Sequence, residues 1–143
     1  PFFLFLSYNA PHTPMQATEK DLAVYAHLKN KKRQTYAAMM HALDRGVGRV
    51  IDYLKKSGEL ENTLIVFFSD NGGATNNASW NGPFSGRKGG LLEGGVRVPL
   101  LMSWPAGLPK GTVYEKPVSA LDLLPTFMAA QVITIVEFIT KST

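Results

Sequence analysis

The stretch LIVFFSDNGG, residues 64–73, decides how this chain folds. Its first five residues are all apolar, which predicts a strand covered on both faces, as in a parallel or mixed sheet with helices on each side. Ser69 comes next, followed by Asp70 and Asn71, and in open α/β sheets ligands bind beyond the carboxyl ends of the strands. Their carboxylate and amide oxygens suit Ca²⁺ or Mg²⁺. The alternative is a plain turn, because Asn-Gly favours positive φ.

The elements upstream of this strand support an α/β layer structure. Apolar residues at spacings of three and four predict an amphipathic helix from about residue 33 to 56, with Gly58 as its C-terminal stop. Asp44 lies among the apolar positions of this helix, where an unpaired carboxylate is costly, so we expect it to find a hydrogen-bond donor. Residues 2–7 form another apolar run, which predicts a second buried strand.

The elements downstream begin with a long loop. Residues 70–95 are rich in Gly and Asn and are too numerous for a mere connector, so we expect this loop to carry function. Residues 96–102 predict a further strand, ended by the Trp-Pro pair at 104–105. Asp122 then predicts a helix N-cap, with Pro125 tolerated in the first turn.

Composition excludes several classes of site. The chain has no Cys, so it contains no disulfide, thiolate metal site or cysteine nucleophile. No apolar stretch approaches the roughly 20 residues of a membrane span. The net charge of +4 comes largely from a basic run that consists of Lys29, Lys31, Lys32 and Arg33. No aromatic residues interleave with these charges, which favours a solvated helix start over a nucleic-acid patch. Residues 77–79 are formally an N-glycosylation triplet, a pattern that is common by chance.

Two further residues have settings that suit chemistry. Lys88 lies between glycines, where the backbone can approach a ligand and the ammonium can bind an oxyanion, although an exposed loop lysine is the alternative. His12, between two prolines, could protonate a leaving group or bind an anion, or could be a simple loop histidine. Glu93 and Arg97 flank a glycine pair, and we expect them to pair and brace the loop.

Taken together, these motifs resemble the sulfatase family. The resemblance covers roughly residues 1–130, and a chance match of five motifs in order is far less expected than a match of one. The five motifs are Pro11-His12-Thr13-Pro14, Ser69-Asp70-Asn71-Gly72-Gly73, Gly86-Arg87-Lys88-Gly89-Gly90, Glu93-Gly94-Gly95-Val96-Arg97-Val98-Pro99 and Asp122-Leu123-Leu124-Pro125-Thr126.

The resemblance implies a fold and a reaction. The fold is an alkaline-phosphatase-like α/β sandwich with a central mixed, mostly parallel sheet flanked by helices, of which this chain is a part. The reaction is hydrolysis of a sulfate ester, in a small molecule or a sulfated glycan, in a periplasmic or secreted protein. By the resemblance, Asp70 and Asn71 are ligands of a divalent cation, usually Ca²⁺ with Mg²⁺ as the alternative. Lys88 contacts the sulfate, and His12 lies by the ester oxygen.

Two features of the family are missing from this chain. Sulfatases use a formylglycine nucleophile made within a Cys/Ser-x-Pro/Ala-x-Arg motif, and the nearest version here, residues 103–107, has Gly where Arg is needed. The paired N-terminal aspartates that complete the cation site are also absent. We therefore expect both to lie before Pro1, so that residues 1–130 are the later part of a catalytic domain and are inactive alone. Residues 131–143 form a tail that departs from the family pattern.

Two rival interpretations remain at this point. A phosphodiesterase or phosphonate hydrolase of the same superfamily can share the cation motif and much of the fold. A non-catalytic anion-binding module descended from such an enzyme would keep the motifs without a nucleophile. The sequence before Pro1, together with matched sulfate and phosphate esters, would distinguish these possibilities.

Overall fold

A computed structural model describes residues 1–131 of the chain. Its helices are α1 (Glu19–Val24), α2 (Lys31–Ser57), α3 (Glu93–Val96) and α4 (Leu123–Ala130), and its strands are β1 (Ile65–Phe68) and β2 (Leu100–Ser103). Short 3₁₀ turns lie at Leu60–Asn62, Thr75–Asn77 and Ala120–Asp122. The chain divides into two compact units, Pro1–Lys110 and a second that begins at Gly111. None of the helices in the described part is long and apolar enough to cross a membrane.

The longest helix, α2, confirms the predicted amphipathic helix. It begins after Asn30, whose side chain accepts a hydrogen bond from the Arg33 backbone N–H at 3.1 Å and so satisfies one free amide of the first turn. It ends at Gly58, which adopts the left-handed conformation at φ 77°, as the sequence predicts. The apolar positions of the helix are buried or half-buried, with Met39 and Leu54 among the most enclosed.

The sheet differs from the prediction in its direction. Residues 65–68 form the predicted strand, but among the described residues β1 pairs with β2 alone, antiparallel, from Ile65 opposite Ser103 to Phe68 opposite Leu100. The side chains of β1 are half-buried rather than fully covered, because no second layer lies over this pair within residues 1–131. The mostly parallel central sheet is therefore not seen in this part of the domain.

The strand predicted at residues 96–102 begins later than its sequence pattern indicates. Val96 lies in the helical turn α3, and Val98 lies in the connection to β2. Glu93 and Arg97 form an ion pair at 3.0 Å, with the four-residue spacing of a helical turn. The prediction that these two residues pair is confirmed, and the helical turn between them takes up Val96, the first residue of the expected strand.

The prediction of a strand at residues 2–7 is wrong for the described structure. The side chains of this run are largely exposed, and Phe2 and Leu4 line an apolar groove with Val50 and Leu54 of α2. A strand requires a hydrogen-bonded neighbour, and in the described part β1 and β2 bond only to each other. The apolar composition of residues 2–7 is therefore not sufficient to make this run a strand.

A buried ion pair joins α1 to α2, and the sequence did not indicate it. Asp21 is only 2% exposed and accepts hydrogen bonds from Arg45 at 2.6 and 3.1 Å. These bonds, and a further one from the Thr18 hydroxyl, lower the pKa of Asp21 from 3.8 to about 2. Asp44, the carboxylate that we expected to need a donor, is exposed rather than enclosed among apolar residues, so that prediction is wrong.

The second unit contains α4 with an N-terminal cap different in detail from the predicted one. Asp122 stands at the helix start, but its carboxylate accepts a hydrogen bond from the Ser119 backbone N–H at 2.7 Å. The Ser119 hydroxyl accepts one from the Leu121 N–H at 3.3 Å, which completes a capping box. Pro125 lies in the first turn, where it is tolerated. Apart from Gln131, the predicted tail lies outside the described residues.

Candidate functional site

The end of β1 presents the two predicted cation ligands. The Ser69 hydroxyl donates to the Asn71 carbonyl at 2.9 Å, which closes a turn directly after the strand and leaves Asp70 exposed. The Asn71 amide nitrogen donates to the Gly72 carbonyl at 3.0 Å, so that its Oδ1 is free to accept or to ligate. The turn and the ligand interpretations are thus compatible, because the turn orients both oxygen donors.

These two residues fit part of a cation site. Carboxylate and amide oxygens match the hard ligands of Ca²⁺ and Mg²⁺, which take about six to eight and six ligands respectively. Within residues 1–131 no group of three or more His, Cys, Asp or Glu side chains lies close enough together to hold a metal ion. The remaining ligands would have to come from elsewhere in a complete domain, or from water and substrate.

Backbone hydrogen bonds connect the three glycine-rich motifs of the long loop. The Gly72 N–H donates to the Gly95 carbonyl at 2.9 Å, and the Lys88 N–H donates to the Gly73 carbonyl at 3.1 Å. The Gly94 N–H donates to Ser85 at 2.7 Å. The residues after Asp70, the segment that carries Lys88 and the turn α3 therefore form one bonded assembly, which we call the glycine assembly.

Two glycines of this assembly are required by close packing. A Cβ on Gly72 would collide with the Gly94 carbonyl oxygen and lie 2.9 Å from the Gly95 Cα. A Cβ on Gly95 would collide with the Gly90 carbonyl oxygen and lie 2.5 Å from that of Arg87. Real Cβ atoms do not approach backbone atoms this closely, so glycine is needed for the motifs to meet.

Asn81 is a structural residue of the site that sequence reasoning missed. Its Oδ1 accepts from the Gly73 N–H at 2.7 Å, and its Nδ2 donates to the carbonyls of Gly73 at 2.9 Å and Gly86 at 3.2 Å. One side chain thus joins the cation motif, residues 69–73, to the lysine motif, residues 86–90. A lone Asn in a Gly-rich loop signals local backbone bonding, but the partners cannot be known without the fold.

Lys88 projects from the glycine assembly into solvent. Its side chain is exposed, and among the described residues it forms no hydrogen bond or ion pair. The backbone is fixed at Lys88 N and is flanked by glycines with positive φ at Gly86 (99°) and Gly89 (83°). The ammonium is therefore a free cation on an anchored backbone, as binding of an anion requires.

The loop that carries His12 is attached to the same region through Asn77. Asn77 is 7% exposed, and its Nδ2 donates to the Pro11 carbonyl at 3.2 Å. His12 is exposed, and its Nδ1 lies 2.6 Å from the Thr13 carbonyl, which can only accept, so Nδ1 carries a proton.

An open arrangement of oxygen donors, a free lysine and a histidine is typical of metal-assisted hydrolases that act on anionic esters. A model of the sulfatase family matches residues 1–131. The chain belongs to the sulfatase family.

Individual relatives agree with this assignment. The chain is 39% identical over 139 residues to the uncharacterized sulfatase YdeN of Escherichia coli K12 and 36% identical over 129 residues to mouse arylsulfatase J. These matches cover 94% and 90% of this chain but 24% and 22% of those proteins. The solved structure of Ps i-CgsB in complex with k-i-k-neocarrahexaose is 52% identical, with a TM-score of 0.91 over 94% of this chain and 30% of that one. The chain thus spans less than a third of each, and its fold is the α/β fold of the family.

Proposed function

We propose that this chain is the later part of a sulfatase catalytic domain and that the complete enzyme hydrolyses sulfate esters. The observation that carries the proposal is the glycine assembly, in which the Lys88 N–H bonds to the Gly73 carbonyl at 3.1 Å. This bond joins the segment that carries the Lys88 side chain to the segment that carries the two oxygen donors after β1, which supports a shared site. A divalent cation and a lysine together can bind the two sides of one oxyanion.

Each residue of the site has a distinct task in this reaction. Asp70 and Asn71 would supply two oxygen ligands to Ca²⁺, with Mg²⁺ as the alternative. A cation bound there neutralises charge on the sulfate oxygens. Lys88 would bind a sulfate oxygen through its ammonium and hold the ester in position. The nucleophile, a formylglycine in this family, would come from a segment before Pro1.

His12 would act at the ester oxygen that departs. Its Nδ1 proton is held by the Thr13 carbonyl at 2.6 Å, so Nε2 is the ring nitrogen that remains for a ligand. When protonated, Nε2 can donate a hydrogen bond or a proton to the leaving oxygen, whose negative charge grows as the S–O bond breaks. The Asn77 contact to Pro11 supports the loop from behind. Asn77 is therefore a positioning residue.

The substrate class that we propose is a sulfated saccharide. The solved relative at 52% identity was crystallised with k-i-k-neocarrahexaose, and other relatives are named N-acetylgalactosamine-6-sulfatase. These names describe those proteins, and they support the choice of sulfated sugars as the first substrates to test here.

The test compares Asp70→Ala with Asp52→Ala in a protein that carries the complete domain. Asp52 is an exposed aspartate of α2 with no role in the site, so it controls for loss of one carboxylate. We expect Asp70→Ala to lose Ca²⁺ binding in calorimetry and turnover of a sulfate ester, while Asp52→Ala keeps both. Matched phosphate esters distinguish a phosphodiesterase. Full activity of Asp70→Ala would refute the assignment, and an intact protein that binds sulfate without turnover would favour the binding module.

A further inference from the structure

An open cleft of about 500 Å³ lies beside the lysine motif, outside the residues assigned to the reaction. Its size falls in the range of ligand sites, about 300–1,000 Å³. Its walls combine hydroxyl, amide, aromatic and guanidinium groups, a mixture that suits a sugar ring better than an apolar ligand: Thr75, Ser79, Trp80, Asn81, Phe84 and Arg87.

Trp80 gives the cleft an aromatic wall. It is 80% exposed and lines the cleft, so its indole is accessible to a ligand there. Its indole lies against the backbone of Gly82, where an added Cβ would collide with the six-membered ring and lie 2.8 Å from Nε1. Gly82 therefore leaves room for the indole at this wall of the cleft.

Arg87 gives the cleft a positive charge that has no assigned use. It is exposed, and within residues 1–131 its guanidinium makes no hydrogen bond or ion pair. Its backbone carbonyl accepts from the Gly90 N–H at 2.9 Å, so the chain is anchored at this residue. A guanidinium binds a tetrahedral oxyanion through two parallel N–H bonds, which an ammonium cannot do.

We propose that this cleft is a saccharide subsite that selects the sugar adjoining the sulfate ester to be cleaved. The face of Trp80 stacks on that ring, and Arg87 binds a second sulfate carried by it. Because Arg87 precedes Lys88 directly, the two cations lie on one anchored segment and read two sulfates of the same chain. This inference rests on the proposed sulfatase function and adds to it a preference for multiply sulfated saccharides.

The test uses the protein with its complete domain and three substrates. These are 4-nitrophenyl sulfate, a disaccharide sulfated only at the cleaved position, and the same disaccharide with a second sulfate on the adjoining ring. We expect Trp80→Ala to raise the KM of both disaccharides, relative to that of the aryl sulfate, about tenfold, the effect of removing one aromatic anchor. Trp80→Phe should keep most of the wild-type ratio, because it keeps a stacking face.

Arg87→Ala should raise KM about tenfold for the doubly sulfated disaccharide and far less for the singly sulfated one. Leu91→Ala is the control, since Leu91 is 94% exposed in the same loop but does not line the cleft, and it should leave all ratios unchanged. Both test residues are exposed, so their replacement does not remove core packing.

The outcomes separate the two proposals. A wild-type protein that cleaves none of the three sulfate esters refutes the proposed function and, with it, the subsite. A wild-type protein that cleaves the disaccharides, with Trp80→Ala and Arg87→Ala showing wild-type ratios, refutes the subsite and leaves the sulfatase function intact. An equal loss on all three substrates also refutes the subsite, because the residues would then act at the reaction centre.

Discussion

Replacing Gly72 with alanine should disrupt the glycine assembly, because the new Cβ has no space. It would collide with the Gly94 carbonyl oxygen and lie 2.8 Å from the carbon of that group, where ordinary contact begins at 3.4 Å. The two segments must therefore separate, and the bond from Gly72 N–H to the Gly95 carbonyl, now 2.9 Å, would be lost. Overpacking costs about 1–3 kcal/mol, and the unpaired buried group costs about 1–3 kcal/mol.

We therefore expect Gly72→Ala to lower the free energy of unfolding by about 2–6 kcal/mol. Gly48→Ala is the matched control, since a Cβ on Gly48 in the interior of α2 meets nothing within 4 Å. There the same substitution should raise the free energy of unfolding by about 0.5–1 kcal/mol, because alanine is the better helix former. Both variants restrict the unfolded chain in the same way, so that contribution cancels in their difference.

The assay is urea unfolding of both variants and the wild type in a protein with the complete domain, followed by fluorescence. The midpoint of Gly72→Ala should fall and that of Gly48→Ala should rise, with similar m values. Below its transition, Gly72→Ala should also turn over sulfate ester more slowly, because the segment that carries Lys88 bonds to the neighbouring Gly73. A midpoint for Gly72→Ala at or above that of Gly48→Ala would refute the close approach of the motifs.

Four further predictions use the same unfolding assay. Asp21 has its pKa lowered from 3.8 to about 2, so the stability it supplies is present above pH 3.8 and is lost as the pH falls towards 2; Asp21→Asn should lack this decline. Asn77→Ala should cost about 1–3 kcal/mol, since the Pro11 carbonyl loses its donor. Asn81→Ala removes three hydrogen bonds and should cost about 2 kcal/mol or more. Arg97→Ala breaks an exposed ion pair and should cost less than about 1 kcal/mol, and a larger loss would contradict its surface role.

The sequence predicted those elements whose cause is local. The helix α2 follows from apolar spacing and from a capping glycine at position 58, and β1 follows from five consecutive apolar residues. Whether residues 2–7 form a strand, and in which direction the sheet runs, depends on which segments become neighbours in the fold. The amino-acid composition of a segment does not determine its neighbours. The helical turn α3 takes in Val96, so the strand predicted at residues 96–102 begins only at Leu100.

In the candidate site, too, some residues could be predicted from the sequence and others depended on the fold. The residue types of Asp70, Asn71, Lys88 and His12 indicate their chemistry, and the order of the motifs indicates the family. The positioning residues were not predictable, because Asn77 and Asn81 act through backbone partners that the fold alone brings near. The buried Asp21 was missed for a related reason, since its partner Arg45 is 24 residues away in the sequence.

Glycine is abundant around Asp70 and Lys88, where backbone hydrogen bonds rather than side-chain contacts hold the chain. Within the described residues, neither the Asp70 carboxylate nor the Lys88 ammonium is held by a hydrogen bond, so both are available to ligands. A free side chain can still be well placed if its backbone is fixed, and here the fixing bond runs from Lys88 N–H to the Gly73 carbonyl. Such hydrogen bonds bring two backbone segments closer together than a Cβ atom at the point of contact would allow. The glycines therefore let backbone hydrogen bonds fix the segment that carries Lys88, while the side chains of Lys88 and Asp70 stay unbonded within the described residues.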